Sequence, residues 1–359
     1  DASIISIFFS ASMSILLGGI LSLNARPILT LMNLKDHLLQ DAVTYFRICV
    51  SFSFFQAIFT SLSSVFRSYG KPRTAVKVSL LMSFTNAVLN SIIVFRPFPF
   101  PLQGVWGIAI SSVLSQAMGM CLLLYFFKKA SFGIHLEKGT LKHLSLVGKI
   151  FSIGIPGGIS NLSYSLSQVI STSIVATLGA TAVSTKIYLD NIFFYVGVLG
   201  LALGQATSIM ISRLSGAHMF EQAFKLNRQN LKITIFCNVT LSFLIFIFGK
   251  HLIGIFTDNP EIIKIARTIM IIDLFVEIGR GFNHIENNSL RGSGDVFYPM
   301  LISITSCWIM SISFSYILGI KLGFGLMGCW IAFAMDELFR GMLFYRRWRS
   351  GKWKGKVLI

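Results

Sequence analysis

Long apolar segments follow one another along almost the whole chain. A run of about 20 apolar residues lets an α-helix cross the hydrocarbon core of a bilayer. Of the 359 residues, 54% are apolar and only 13% are charged, a composition that excludes a soluble domain of this length. The sequence therefore predicts an all-α polytopic membrane protein, whose ten spans we place at 3–23, 43–66, 74–95, 105–127, 149–178, 184–212, 230–249, 267–290, 296–319 and 325–345.

Basic residues are distributed unevenly between the predicted loops. The chain carries 31 lysines and arginines against 14 acidic residues, and most of the basic ones lie in alternate loops and in the C-terminal segment. Cytoplasmic loops of membrane proteins are enriched in lysine and arginine. This pattern predicts a cell (plasma) membrane protein with a cytoplasmic C-terminus, and it accounts for the net charge of +17 without nucleic-acid binding.

The sequence lacks motifs for catalysis and for cofactor or metal binding. All five cysteines lie within apolar segments and lack close spacing, so neither a disulfide nor a zinc site is indicated. No histidine and glutamate metal motif is present, and no nucleophile lies beside a base. We therefore expect neither an enzyme nor a bound cofactor.

An internal repeat relates the two halves of the chain. Residues 66–71 (FRSYGK) match residues 290–295 (LRGSGD), and a Gly-x-x-Gly motif at 104–107 recurs at 325–328. Four helices of each half correspond in order, which indicates parallel repeats as in several transporter folds. The second half begins with two further helices. We therefore expect a helical hairpin of about 75 residues ahead of residue 1, and twelve spans in all.

This repeat predicts two helical lobes. The expected domains are an N-terminal lobe at 1–127 with four of its six helices, a cytoplasmic inter-lobe linker at 128–148, a six-helix C-terminal lobe at 149–345, and a basic cytoplasmic tail at 346–359. In transporters built from such repeats the substrate binds at the interface of the repeats. We therefore expect the substrate between the lobes.

A polar stripe runs along the predicted span at 267–290. At about 100° per residue, six polar side chains fall close to one line on this otherwise apolar helix. Ionisable groups within a membrane span are costly and indicate a functional site. The six residues are Asp273, Glu277, Arg280, His284, Asn288 and Arg291.

Ion coupling calls for a carboxylate within a span. Glu277 is our first choice, because it lies about halfway along its helix and therefore near the middle of the bilayer. Its alternative role is to neutralise Arg280, three residues away. Asp190 is the second choice, although Lys186 lies one turn away and can satisfy it.

Asp273 and His284 complete the ion-coupling candidates. His284 either relays protons, because imidazole titrates near neutral pH, or is a hydrogen-bonded bystander. Glu286 lies on the opposite side of its helix and is predicted to serve in packing. The two adjacent acidic residues in the span at 325–345 can be neutralised by Arg340.

Uncharged polar stripes on three other spans are candidates for lining a cavity. The alternative is that these side chains hydrogen-bond neighbouring helices within the lipid. The candidates are Asn161, Tyr164, Ser165, Gln168 and Thr172 on one span, Asn86 and Asn90 on a second, and Gln56 on a third.

Several short motifs occur in an order that is typical of one transporter family. They are Gly154-x-Pro156 at the start of a span, the Arg-x-x-Gly loops that begin at Arg67 and Arg291, the asparagines near Asn90, and the GVWG sequence at 104–107. In this order they resemble the multidrug and toxic compound extrusion (MATE) transporters. The resemblance covers nearly the whole chain, from family helix three to helix twelve, and implies two six-helix halves.

This resemblance implies export of organic, often cationic and amphipathic compounds, driven by inward proton or sodium flow through alternating access. Two family positions differ here. Tyr164 stands where many members have a glutamate after the proline of helix seven, and Arg280 stands where many have an aspartate before the loop arginine. A further acidic site of the family lies on its first helix. Because a guanidinium stays charged and repels sodium, we expect proton rather than sodium coupling.

A cation-coupled antiporter is thus the predicted function. Its expected partners are a small organic substrate, a proton or sodium ion, and the lipid bilayer, and we expect a monomer. The nearest alternative is a lipid-linked sugar flippase of the same superfamily, which would need several arginines for a pyrophosphate. Arg280 is the only basic residue near the middle of a span apart from Arg340, which argues against the flippase.

Overall fold

The computed structural model of the chain describes residues 2–30, 36–95, 104–130 and 144–356. These residues are almost entirely helical, and none of them lies in a β-strand. The predicted all-α fold is therefore confirmed. The chain forms two compact units, residues 1–150 and residues 151–359. The predicted linker at 128–148 falls mainly on residues 131–143, which lie outside the described residues.

The N-terminal unit contains six helices before the linker. They are α1 (Ala2–Leu23), α2 (Ala25–Thr30), α3 (Asp36–Ser51), α4 (Phe54–Ser68), α5 (Pro72–Phe95) and α6 (Gly104–Lys129). The span predicted at 43–66 is broken between α3 and α4, which meet at an angle of 44°. Phe59, Leu62 and Phe66 of α4 form the core of this unit with Val78 of α5 and Leu123 of α6.

Longer helices make up the C-terminal unit. They are α7 (Leu144–Ala176), α8 (Ala180–Gly216), α9 (Phe220–Gly254), α10 (Pro260–Phe282), α11 (Asn288–Gly292), α12 (Phe297–Ser306) and α13 (Gly325–Arg349). α10 begins at a favourable N-terminal sequence, because the Asn259 side chain accepts a hydrogen bond from the Glu261 amide and Pro260 needs no partner in the first turn. The core of the unit lies between α8, α9, α10 and α13.

The number of described helices that can cross a membrane is smaller than the ten predicted spans. Within the described residues, six helical segments are long and apolar enough to cross by themselves, and the bent pair α3 and α4 raises the count to seven. α7, α10 and α13 are not among the six. α10 and α13 carry acidic and basic residues in their middle turns, and α7 carries a row of uncharged polar side chains together with Pro156. The predicted count of ten spans is therefore not confirmed.

The two Arg-x-x-Gly motifs of the repeat adopt the same local structure. Gly70 and Gly294 have positive φ angles of 74° and 92°, a backbone region that glycine enters without strain. In each motif the amide of the residue after the glycine donates to a carbonyl five positions earlier, at 2.9 Å in both cases. This arrangement is a Schellman motif, so the sequence repeat reflects a repeated helix ending.

A π-helical turn at Asn283–Asn287 interrupts the helix that carries the predicted polar stripe. α8 packs against this turn with its small residues. A Cβ atom on Gly204 would lie 2.6 Å from the carbonyl oxygen of His284, and one on Gly200 would lie 2.6 Å from the imidazole of His284. Only glycine permits this close approach of α8.

Gly204→Ala is therefore expected to lower the free energy of unfolding by about 2 kcal/mol, because the new methyl group meets backbone that cannot move away. Gly197→Ala on the same helix is the matched control, since a Cβ there has no neighbour within 4 Å. Thermal unfolding of the purified protein in detergent measures both. Equal melting temperatures for the two variants would contradict the close packing.

The end of the chain packs onto the C-terminal unit. α13 continues to Arg349, beyond the span predicted to end at 345, and Trp353 is fully buried. The indole rings of Trp348 and Trp353 are stacked, with centroids 4.2 Å apart. Asp295 forms ion pairs with Arg347 and Lys356, both at 2.8 Å. The first part of the predicted tail therefore contributes to the fold, because it supplies apolar rings and the counter-charges of a buried aspartate.

Candidate ion-coupling and substrate site

A cavity of about 500 Å³ lies inside the C-terminal unit, and we call it the large cavity. Its walls come from α7, α8, α10 to α13 and the π-helical turn, and they combine charged residues with aromatic rings. A second cavity of about 270 Å³, the small cavity, shares four of these residues. The shared residues are Tyr164, Asp190, Arg280 and Trp330.

The predicted polar stripe lines the large cavity with five of its six residues. They are Asp273, Arg280, His284, Asn288 and Arg291. The π-helical turn widens this polar wall, because its extra residue per turn brings Asn283 and Asn287 to the same cavity. Glu277, the sixth residue, is fully buried and does not line the cavity.

Asp273 carries a buried carboxyl group with a single hydrogen bond. Its side chain is 1% exposed, and the indole Nε1 of Trp330 donates to Oδ1 at 3.0 Å. The second oxygen, Oδ2, has no hydrogen-bond partner among the described residues. Asp273 belongs to none of the ion pairs found in that part of the chain. This carboxyl group can accept a proton without breaking an ion pair.

Glu277 instead holds Arg280. Its Oε1 lies 2.5 Å from a terminal nitrogen of the Arg280 guanidinium, and its Oε2 accepts a hydrogen bond from Asn238 of α9 at 3.1 Å. The guanidinium also lies over the ring of Phe333, 5.1 Å from its centroid, and lines both cavities. Glu277 therefore fixes the position of a cation that faces the cavities.

α13 contributes a second charged cluster that the sequence analysis did not select. Arg340 forms ion pairs with Glu337 at 2.5 Å and with Asp336 at 3.3 Å. Asn283 of the π-helical turn donates to the Glu337 carboxylate, and Ser306 donates to Asp336. Glu337 and Arg340 line the large cavity. In the sequence this cluster is an Asp-Glu-x-x-Arg pattern inside an apolar span. The pattern predicted that Arg340 neutralises the two acidic residues, but it did not predict that Glu337 and Arg340 lie at a cavity.

Asp190 lines both cavities from α8. It forms an ion pair with Lys186 at 2.5 Å, and its side chain is half exposed. The sequence predicted this pairing from the one-turn separation. Asp190 thus offers the cavities a carboxylate that is already paired, in contrast to Asp273.

α7 lines the cavities with part of its predicted polar face. Asn161 and Tyr164 line the large cavity, and Tyr164 and Gln168 line the small one. Ser165 and Thr172 are exposed and line neither. The face that meets the cavities is displaced by about one residue, because Ser160, Ser171 and Val175 take part in it.

Comparison with known proteins identifies the family. The MatE family model matches residues 2–92 and 156–317. The chain belongs to the MatE family. Members of this family are membrane transporters and not enzymes, so the chain is a multi-pass membrane transporter, as its apolar helices also indicate.

Relatives of this MatE protein are found in bacteria. It is 35% identical over 354 residues to the uncharacterized transporter YisQ of Bacillus subtilis strain 168, and the match covers 98% of this chain and 78% of the relative. It is 28% identical to a probable multidrug resistance protein NorM of Thermotoga maritima, over 99% of this chain and 76% of that protein.

The fold of the MatE chain also matches solved structures. A multidrug resistance MATE family transporter of the MOP superfamily superposes with a TM-score of 0.89 at 19% sequence identity, covering 97% of this chain and 78% of that one. At this identity the match concerns the fold. It confirms the all-helical fold that the sequence predicted.

Both positions at which this MatE protein departs from the expected family pattern belong to the cavity walls. Tyr164 and Arg280, which stand where the resemblance predicts a glutamate and an aspartate, line both cavities. The acidic residues that accompany them in the large cavity are Asp190, Asp273 and Glu337. The carboxylates of this cavity therefore occupy other positions than the resemblance implies.

The remaining candidates of the MatE chain belong to the N-terminal unit. Asn86 of α5 donates to Ser115 of α6 at 3.1 Å, and Asn90 accepts from Ser111 of the same helix. These bonds join α5 to α6, which was the alternative considered for them. Gln56 on α4 is exposed, and its role as a cavity residue remains a prediction.

Glu286 faces α9 rather than the cavities. It is fully buried and accepts a hydrogen bond from Asn227 at 3.2 Å. This is the packing position that the sequence predicted on the opposite side of the polar stripe. His284, by contrast, lines the large cavity, where its ring packs against Gly200 of α8.

Proposed function

We propose that this protein is a proton-coupled antiporter that exports organic, often cationic, amphipathic compounds across a cell membrane by alternating access. The observation that carries the proposal is the large cavity, in which the free carboxyl oxygen of Asp273 accompanies a wall of aromatic rings. One cavity thus offers a site for a proton and a site for a lipophilic cation. The C-terminus is proposed to be cytoplasmic, on the basis of the basic loops.

The substrate class follows from the composition of the walls. Tyr164, Phe193, Phe194 and Trp330 contribute aromatic rings to the lining of the large cavity, and its volume of about 500 Å³ suits a drug-sized molecule. Aromatic faces attract organic cations, and the half-exposed carboxylate of Asp190 adds a negative charge. Several relatives are named as probable multidrug resistance proteins, which supports the same class.

Charge in the cavity favours a proton over sodium. A sodium ion at Asp273 would share the cavity with the Arg280 guanidinium, which is held there by Glu277 and remains protonated at ordinary pH. A proton on Asp273 removes a negative charge instead of adding a positive ion beside the arginine. We therefore assign the proton to Asp273, with the Glu277–Arg280 pair as the alternative carrier.

Coupling then rests on the charge state of Asp273. When Asp273 is ionised, its negative charge offsets the charge of Arg280, and an organic cation can bind against the aromatic rings of the cavity. When Asp273 is protonated, the charge of Arg280 is no longer offset, and it repels the organic cation. Proton and substrate therefore compete for one negative charge, which gives exchange of one for the other.

Expression of the protein is expected to lower the cellular accumulation of ethidium several-fold relative to empty vector, because the ring system and positive charge of the dye suit the aromatic rings of the cavity and the half-exposed carboxylate of Asp190. Fluorescence of intact cells measures the accumulated dye. A variant with the exposed Arg346 changed to glutamine is the control for expression, and it should export as the wild type does.

Equal accumulation with and without the protein, across several lipophilic cations, would contradict the proposal of a drug exporter and would favour the flippase alternative. Three arginines, Arg280, Arg291 and Arg340, do line the large cavity. Two of them are already neutralised by carboxylates, however, so they are poorly suited to a pyrophosphate. The names of the relatives do not favour a flippase either.

A further inference from the structure

A third cavity of the C-terminal unit lies between α9 and α13, apart from the two cavities described above. It has a volume of about 850 Å³, and we call it the basic groove. Four cations line it, against one carboxylate, that of Glu221. The four are Lys225, Arg228, Lys232 and Arg349.

These cations have no counter-charge of their own. None of the four takes part in an ion pair among the described residues. All four side chains are exposed, whereas Arg280 and Arg340 of this unit are neutralised by glutamates. Three of them lie at intervals of three and four residues on α9, so they form one face of that helix.

The groove lies where α9 changes from charged to apolar. Residues 220–232 of this helix contain all of its charges before Lys250, and residues 233–249 contain none. That uncharged stretch is about 25 Å long, close to the thickness of a bilayer core. The cations of the groove therefore lie at the level of the lipid headgroups.

Apart from Asn227 and the Tyr345 hydroxyl, the rest of the lining is apolar. Leu231 and Ile235 of α9 and Phe282 of α10 form a continuation of the groove, and Tyr345 stands beside Arg349 with its ring 6.0 Å from the guanidinium. Tyrosine is enriched at the membrane–water interface. A free phosphate would use only the cations, whereas a phospholipid would use the cations and the apolar part together.

We propose that the basic groove binds an anionic phospholipid, with its phosphate among the α9 cations and the start of an acyl chain against the apolar residues. The ligand class is a lipid with a net negative headgroup, such as a phosphatidylglycerol. Zwitterionic lipids carry an ammonium group that the cations repel. The site is independent of the transport cavities, because the two sets of lining residues have no member in common.

The test uses the full-length protein, stripped of lipid in a neutral detergent and titrated with dioleoyl phosphatidylglycerol while bound lipid is counted by native mass spectrometry. The double variant Arg228→Gln with Lys232→Gln is expected to bind about thirtyfold more weakly, because each basic residue near an anionic lipid contributes about fivefold. Binding to the wild type should also weaken as salt is added.

The double variant Arg346→Gln with Lys352→Gln is the matched control. It removes two positive charges as well, from exposed residues near the C-terminal end of α13 that do not line the groove. Its affinity should stay within about threefold of the wild type. Dioleoyl phosphatidylcholine and glycerol 3-phosphate are the ligand controls, and neither should compete at equal concentration.

Three outcomes would overturn the proposal. Equally weakened lipid binding in both double variants would show that general surface charge, and not the groove, attracts the lipid. Equal binding of phosphatidylcholine would show that the headgroup charge is not recognised, and competition by glycerol 3-phosphate would identify a site for soluble phosphates. All three measurements are binding measurements, so their failure is distinct from a failure of the proposed transport function.

Discussion

Replacing Asp273 with asparagine is expected to abolish ethidium export driven by a pH gradient while leaving passive exchange of the dye intact. Asparagine has nearly the same volume and can still accept the hydrogen bond from Trp330, so the fold should persist. It cannot take up or release a proton. Proteoliposomes with and without an imposed pH gradient measure the two activities separately, and we expect the rate of the uphill component to fall about a hundredfold or more.

Two other carboxyl variants give this prediction its specificity. Asp190→Asn removes a carboxylate from the same cavity that is already paired with Lys186, so it should weaken the apparent affinity for dye and leave coupling intact. Glu277→Gln leaves Arg280 without its anionic partner and should lower the melting temperature. If Glu277→Gln abolishes uphill export and Asp273→Asn retains it, the proton belongs to Glu277. Export that needs sodium and ignores the pH gradient would contradict both assignments.

Arg340→Met is expected to cause the largest loss of stability in the C-terminal unit. The guanidinium neutralises Glu337 and Asp336, which are 4% and 1% exposed, and methionine would leave two buried carboxylates without a cation. Breaking one side of a buried ion pair costs about 3 to 5 kcal/mol. We expect the apparent melting temperature in detergent to fall by roughly 10 °C.

Arg346→Met is the matched control for this variant. It removes an arginine from the same helix at an exposed position and should shift the melting temperature by about 1 °C or less. Adding Asp336→Asn and Glu337→Gln to Arg340→Met should recover part of the loss, since the stranded charges are then removed. If the triple variant is no more stable than Arg340→Met, the loss of stability comes instead from lost packing of the arginine side-chain methylene groups.

The polar stripe that begins on α10 shows which features of the site can be predicted from the periodicity of a single helix. Asp273, Arg280 and His284 share one side of a helix because of the 100° rotation per residue, and this much follows from the sequence alone. Their convergence on one cavity agrees with that expectation. The exception is Glu277, whose carboxylate accepts a hydrogen bond from Asn238 of α9, a residue 39 positions earlier in the chain. A hydrogen bond across helices is invisible in the periodicity of either helix.

The π-helical turn at Asn283–Asn287 was also beyond the sequence pattern. An extra residue in one turn changes which side chains face the cavity, and it does so because Gly200 and Gly204 let α8 approach the turn closely. Those glycines lie about 80 residues away in the chain. The polar stripe on α5 was ambiguous for a related reason, since only the serines of α6 decide whether Asn86 and Asn90 face a cavity or a neighbouring helix.

The sequence by itself determined the membrane class, the helical fold, the family and the positions of charge along each helix. These properties depend on composition, on the period of a single helix and on short motifs, all of which are local. Only the tertiary structure decided that Trp330 rather than a charged residue is the partner of Asp273, and that α10 and α13 contribute their charges to one cavity. Those pairings depend on which helices pack together, and packing is set by shape complementarity between residues far apart in the chain.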